Sequence, residues 1–543
     1  MQSLLPLSAA STSPPLSTDP GVAGQDLADT ASAGTATSTP SANVTITDAE
    51  SNRLNQIYNS VGALSASTPV WERNSSDSIS SLMAVNYDAA TQADRFHGLG
   101  AALLQRFLVS GDDYSQSIML RTPGSGTGSL SNLDQIRQTQ LHTVADNQVT
   151  LDVQTADGAT VHLSLTSQSG GLGVQIEVTK GSLSATDRKA LAGLADAFQG
   201  AIDGLTSVPP RLALDGLTQF DPNVLSSVNM HASLAQADGS VQTLDFQADS
   251  QQRSIAYVGA AGTVNVNVDL SDPALIGSAQ QQSQALAGYL QQFDEAQTRG
   301  RGNADLMAMF KDAFTALNSN YNVDQKNPVA KNGIPLGDAD HAMLSGLADF
   351  SASVQATDRS PNPMQPQELD TFSYQVSQQT TVQGPRVGDR SIQQSQQSHL
   401  SASYHQAVYA DTPLDFSGGK YAQNYYYDQI DDTASSVASI GYQNGRLVKA
   451  SVTQSANQST HIQKYLVGEL QEDITTPSSV SRTWDLLDLL QSTKPKEDGT
   501  ATADDRARWR NTLSSISDLV LMKSDPTQLR TEQLMGAKEQ KAA

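Results

Sequence analysis

The sequence predicts an α+β protein: antiparallel sheets with covering helices, a duplicated hairpin-strand-helix unit, and a polar β meander in the C-terminal half. Three observations carry this expectation. Apolar and polar residues alternate with period two, as in Val149, Leu151 and Val153 against Thr150, Asp152 and Gln154; that is the pattern of a strand with one buried and one wet face. Such runs are joined by Asp157-Gly158, Asp238-Gly239 and Asn444-Gly445, pairs that readily enter the left-handed conformations of tight hairpin turns. The period then turns helical at Leu191, Leu194, Phe198, Ile202 and Leu205, one stripe able to cover the sheet's apolar face.

Taken in order, residues 1–46 are Ser, Thr, Ala, Pro and Gly with few large apolar side chains. They bury too little to offset the entropy of ordering, so a disordered tail is expected. A helical N-terminal region follows over 47–122. Thr47 and Glu50 make a capping box, and Leu54, Ile57 and Val61 share a helix face. Two more helices are expected near Ser76–Tyr87 and Ala90–Leu108, then a short strand at Ser117–Arg121. Gly124, Gly126 and Gly128 come next, but their spacing is neither GxGxxG nor GxxxxGK[ST], and a flexible connector is the better account.

Residues 123–321 read as a duplicated β-hairpin/helix domain, with copies at about 148–206 and 228–296. The first copy has strands around Val149–Val153, Val161–Leu165 and Val174–Val178, then a capping box from Ser184 and Asp187 that starts its helix. Its Asp-Gly turn recurs 81 residues later, and Ala190-Leu191-Ala192-Gly193 recurs 95 residues later as Ala285-Leu286-Ala287-Gly288. The difference fits one extra strand in the second copy, placed at Ser254–Val258. Val264, Val266, Val268 and Leu270 form the next strand, and Asp272-Pro273 is expected to begin the helix. Leu306, Phe310, Ala313 and Leu317 mark one more helix. Residues 322–368 read as an irregular connector with a helix around Asp340–Asp349. An antiparallel β domain of five to seven strands follows over 369–475. C-terminal helices occupy 476–543, the first with Trp484, Leu487 and Leu490 and the next with Trp509, Leu513, Ile516 and Val520.

Charge and composition narrow the function. The 543 residues carry 33 basic and 56 acidic side chains, a net charge of −23. Phosphate recognition needs clustered Lys and Arg, and the sequence shows no such run, so nucleic acid is not the expected partner. There is no cysteine, which removes disulfides, thiolate catalysis and zinc-thiolate sites. No apolar run approaches the roughly 18–20 residues of a membrane helix, so membrane insertion is not expected. The first basic residue is Arg53, which leaves no positively charged leader region. The expected location is cytoplasmic, or exported by a signal-peptide-independent route.

Candidate chemistry is sparse. His399 and His405 fall on one face of a strand, and Asp338, Asp340 and His341 sit together in a GDADH stretch; these are the metal-site candidates. Solvated histidines and helix capping by aspartate account for them at lower cost, so no metal, cofactor or catalytic set is assigned. Tyr421, Tyr425, Tyr426 and Tyr427 are read as cross-strand pairs. Asp428, Asp431 and Asp432 lack the spacing of a calcium loop.

The stretches DRFHGLGAALLQRF (Asp94–Phe107), PPRLALDGLTQFDPNVLSSV (Pro209–Val228) and ALAGLADAFQGAIDGL (Ala190–Leu205) resemble a family of uncharacterised proteins from Pseudomonas-like bacteria. Some members of that family carry the label lactate dehydrogenase. The likeness covers roughly Trp71 to Leu317 and implies a bacterial source without an activity. A dehydrogenase needs a βαβ unit with a glycine-rich turn, whereas the strands here come in antiparallel hairpins, so neither NADH binding nor lactate oxidation is expected. The expectation is a non-catalytic interaction or structural protein with a protein partner. The alternative is a hydrolase using carboxylates in the β-rich C-terminal half.

Overall fold

Alternating side chains make strands along most of the chain, and helices occur where the period changes. The computed structural model describes residues 69–73, 76–121, 132–321, 330–331, 333–409, 411–496, 498, 500–532 and 538–540. The first third comprises β1 (Pro69–Trp71), α1 (Ser78–Asn86), α2 (Gln92–Phe96), α3 (Leu99–Val109), β2 (Tyr114–Leu120), α4 (Asn132–Thr143), β3 (Asn147–Thr155), β4 (Thr160–Gln168), β5 (Gly171–Lys180), α5 (Ala185–Gly193) and α6 (Ala195–Thr206). Next come β6 (Leu225–Ala235), β7 (Val241–Asp249), β8 (Gln252–Gly259), β9 (Gly262–Asp269), α7 (Ala279–Gly300), α8 (Ala304–Leu317), α9 (Asp338–Ala342) and β10 (Asp349–Ala356). The last third holds β11 (Thr371–Arg386), β12 (Asp389–Ala407), β13 (Tyr425–Gln443), β14 (Arg446–Leu466), β15 (Glu469–Asp485), α10 (Leu487–Thr493), α11 (Ala503–Val520), α12 (Pro526–Thr531) and β16 (Lys538–Gln540).

Among the described residues sixteen strands join one sheet in the order β1-β2-β5-β4-β3-β6-β7-β8-β9-β10-β11-β12-β13-β14-β15-β16. Every pairing is antiparallel, which makes the protein α+β. One face is covered. Val149, Leu163, Met230, Phe246, Val266, Phe350, Tyr374 and Ile430 lie on it and belong to a single core with the helices' Phe107, Phe198, Phe293 and Phe310. A smaller core gathers Trp484, Leu490, Ile516 and Val520 over β13–β15.

The duplication has a geometric expression. An offset of 81 carries β4 onto β7 and the start of β5 onto the start of β8. The same offset makes Thr150 equivalent to His231, and those two residues face each other across the β3–β6 pairing. A pseudo-twofold axis normal to the sheet therefore passes through the Thr150–His231 pair. β8 is thus the counterpart of β5, so the strand added to the second copy is β9 and not Ser254–Val258. It was misplaced because both strands alternate equally well.

Other expectations change too. The helix over 184–205 breaks at Leu194, which ends α5 and opens α6. Asp272-Pro273 begins a single 3-10 turn, Pro273–Leu275, and α7 starts from the capping box of Ser278 and Gln281 instead. The stretch 322–368 is not only a connector, because β10 (Asp349–Ala356) bridges the two halves of the sheet and the expected helix shrinks to α9. Trp484 lies in β15 and not in a helix; its spacing to Leu487 and Leu490 mimics a helical stripe across the strand–helix joint. The helix α4 has no counterpart in the sequence reading, since its stripe is broken by Gln, Arg and Thr and its Ile136 is exposed. The tail 1–46, the Thr47 capping box and the glycines at 124–128 lie outside the described residues.

Polar strands β11–β14 bury glutamine on the covered face for a definite reason. There the sheet meets irregular backbone, whose free N–H and C=O groups need partners. Gln454 Nε2 donates to Leu519 O at 2.6 Å and Leu521 O at 2.8 Å. Gln396 accepts from Met522 N at 3.0 Å and donates to Val520 O at 3.1 Å. Gln378 Nε2 reaches Leu347 O and Ala348 O, while Gln394 Oε1 accepts from Ser345 N at 2.8 Å. These side chains fasten the loop at 345–348 and the C-terminal end of α11 with the residues after it onto the sheet.

Candidate functional site

The uncovered face is built by the residues between the apolar ones. Under α4 it is closed: Leu141 packs on Gly171, and His142 Nε2 lies 2.9 Å from Glu72 Oε2. From β9 to β15 no described helix lies on it. Register places Asn267, Ser351, Ser377, Gln397, Ser435 and Ser455 directly opposite one another in a row across six strands. A second row, two residues along, runs Asn265, Ser353, Gln375, His399, Thr433 and Asn457. Strands lie about 4.8 Å apart and same-face neighbours about 6.7 Å, so the face presents neutral hydroxyls and amides on a two-dimensional grid. A shallow depression of about 700 Å³ lies over its middle.

Charge on this face is paired across strands. His399 Nε2 lies 2.9 Å from Asp431 Oδ1, His461 Nε2 2.6 Å from Asp473 Oδ1, His162 Nδ1 2.8 Å from Asp152 Oδ1 and His231 Nδ1 2.7 Å from Asp245 Oδ1. The hydrogen bond it donates to Asp152 holds the His162 pKa above its usual value.

One end of the face is capped by the loops before β11 and β13. Here His405, with no exposed side-chain surface, puts Nδ1 2.7 Å from Asp370 Oδ1 and Nε2 3.2 Å from Glu368 Oε2. Tyr425 donates to the same Glu368 oxygen at 2.8 Å and stacks on its cross-strand neighbour Tyr465 at 4.8 Å. Tyr427 donates to Leu369 O at 3.1 Å. Two of the four clustered tyrosines thus pin a loop, Tyr426 lies against Lys464, and Tyr421 is exposed.

The sequence-derived metal candidates are not brought together. His399 and His405 do share a face, but six residues of strand separate them by about 20 Å. Asp340 is fully buried, accepts from Gly337 N at 2.7 Å, and forms an ion pair with Arg390. His341 is driven below its ordinary pKa by burial, and Asp338 lies on the exposed side of α9. Among the described residues no group of three or more His, Asp or Glu is arranged to hold a metal ion.

The carboxylates of the β-rich half are individually engaged. Asp431 faces His399, Asp473 faces His461, Glu472 accepts from Lys464 at 2.7 Å, and Asp432 takes both arms of Arg299. Asp428 differs: burial raises its pKa, and Oδ1 has no partner. The nearest acid on its face of the strand, Asp432, is four residues away, about 13 Å along the strand, beyond the roughly 5–9.5 Å between paired catalytic carboxylates. Among the described residues all strand pairs are antiparallel, so the βαβ dinucleotide unit does not occur there. No helix among them is long and apolar enough to cross a membrane.

No family model matches the chain, and neither a curated protein nor a solved structure matches it.

Proposed function

We propose that this chain is a non-catalytic interaction protein whose working surface is the uncovered face of β9–β15, and whose partner is another protein. The observation that supports this reading is the two in-register rows across six strands, made of Ser, Thr, Asn and Gln with one histidine, His399. Such rows offer many neutral donors and acceptors at fixed spacing. They lack the cation clusters that phosphate needs and the aromatic platforms on which bases or sugars stack. A polar protein surface, wet and hydrogen-bonded, is the matching chemistry.

The experiment uses the full chain as bait for cross-linking in its source cells, beside a variant carrying Asn267→Arg, Gln397→Arg and Thr433→Arg. Asn267, Gln397 and Thr433 are exposed, so the fold tolerates all three changes. The expected result is cross-links to one partner concentrated on this face, lost in the variant while its thermal midpoint is unchanged. Capture that persists in the variant counts against the reading. Hydrolysis of a substrate panel that disappears in Asp428→Asn would replace it with the carboxylate-hydrolase alternative.

A further inference from the structure

A concentration of positive charge lies away from the polar rows, in a cleft of about 1230 Å³ at the end of the sheet. Four distant parts of the chain wall it. The β11–β12 and β13–β14 turns meet there, with Gly445 N donating to Gly388 O at 2.9 Å. A Cβ on Gly388 would sit 3.2 Å from Gly445 N, so the two turns touch backbone to backbone. The opposite wall is the end of α10 and the first turns of α11.

Into this cleft the fold brings Arg446, Lys494, Lys496, Arg506 and Arg510. Arg390 also lines it, but its charge is met by the buried Asp340, and its guanidinium lies 3.8 Å from the Tyr442 ring centre. One described carboxylate, Asp338, is part of the lining. Five further cations therefore share one concavity in a chain whose net charge is −23, with Lys494 engaged, Lys496 within reach of the Asp505 charge and Arg506 donating to Ala501 O. Among the described residues the side chains of Arg446 and Arg510 make no hydrogen bond or ion pair. Trp509 and Tyr442 add flat aromatic surface beside the cations.

Like charges gathered in a concavity repel one another and lower stability unless an anion joins them. A surface that served only solubility would disperse them. Guanidinium forks match phosphate oxygens two at a time, and lysines add point charge. The open cleft is somewhat larger than most small-molecule sites, which span about 300–1000 Å³, and so has room for an extended polyanion. A nucleic-acid track would need the cations to continue as a stripe, whereas these converge.

We propose that this cleft binds a small molecule bearing two or more phosphate groups. This site is independent of the exposed polar face and stands or falls apart from it. The test titrates the full chain with inorganic tripolyphosphate and with ATP by calorimetry, and follows Trp509 fluorescence against a Trp509→Phe control. Saturable binding that weakens as salt is raised is expected. Arg446→Glu and Arg510→Glu should each weaken it at least about tenfold, the loss of one charge-assisted contact. Both residues are exposed. Relief of repulsion should leave each variant's melting temperature unchanged or raised, which a purely structural role would not do. Absence of saturation at millimolar ligand overturns the proposal, and so does undiminished binding in the double variant. Tighter binding of a decaglutamate peptide or a single-stranded oligonucleotide than of tripolyphosphate overturns it as well.

Discussion

At the residue scale, His405 shows how the fold turns a titratable ring into a fastener. Burial alone would push its pKa down, yet the hydrogen bonds to Asp370 and Glu368 outweigh that and hold it above the ordinary 6.5. Glu368 moves the other way: burial would raise it, but hydrogen bonds from His405 and the tyrosines bring it below 4.5. The signs follow from linkage. The histidine's contribution is fully present below about pH 6.5 and is lost as pH rises through its higher folded value. The glutamate's contribution is present above about pH 4.5 and is lost as pH falls through its lower folded value. The loop over β12 and β13 should therefore be held most firmly between those limits. Urea midpoints of the native chain and of His405→Gln should differ most near pH 6 and draw together as pH rises through the raised folded value of the ring. A difference independent of pH would show that the ring acts by packing alone. His162 titrates in both proteins and cancels from the comparison.

At the element scale, the sheet's last long strand has an open flank. β16 pairs only with Thr483, Trp484 and Asp485, so Glu469–Arg482 has no further strand beside it among the described residues. Such an edge is a template for a second chain unless it is spoiled. Here Pro477 removes one ladder donor, and Glu469, Glu472 and Asp473 place charge along the strand, next to the exposed Leu470 and Ile474. Replacing Pro477 and Asp473 with threonine should give dimers or larger species that grow with concentration in light scattering. A variant that stays monomeric at high concentration would mean that the edge is guarded by something else. Strands of this kind were legible because alternation and Asn-Gly or Asp-Gly turns are local signals: Asn444-Gly445 does join β13 to β14, and Ser184 with Asp187 does cap α5. β10 was hidden by the irregular chain on both sides of Phe350, Ala352 and Val354. The inward glutamines carry no local signal of burial because their partners, the backbones at 345–348 and 519–522, come from elsewhere in the chain. Of the cleft's cations Lys494, Lys496, Arg506 and Arg510 are near neighbours in sequence, whereas Arg390 and Arg446 join them only through the fold.

At the scale of the whole molecule, the sequence reads as two β domains, 123–321 and 369–475, with an irregular connector between them, whereas the structure holds one continuous sheet. The register shows this. β9 and β10 are matched from Asp269–Asp349 to Gly262–Ala356, and β10 and β11 from Phe350–Gln378 to Gln355–Ser373, with no gap in the ladder. The core crosses the same boundary. Tyr289 and Phe314 of the first half each meet the Phe350 ring edge-on, at 5.1 and 5.0 Å, and Phe293 meets Tyr374 at 5.7 Å. Cutting the chain after residue 321 would remove Phe350, Val354, Phe372 and Tyr374 from this cluster. It would also leave Val264, Val266 and Val268 on an open edge. Each large side chain left unburied forfeits about 1.5–3 kcal/mol, so a handful together rivals the roughly 5–15 kcal/mol by which a domain is stable at all. A fragment of residues 66–321 should therefore be insoluble or self-associated, while residues 66–543 remain folded. A monodisperse 66–321 fragment with a cooperative melt would restore the two-domain reading and reduce β10 to a clasp between independent halves.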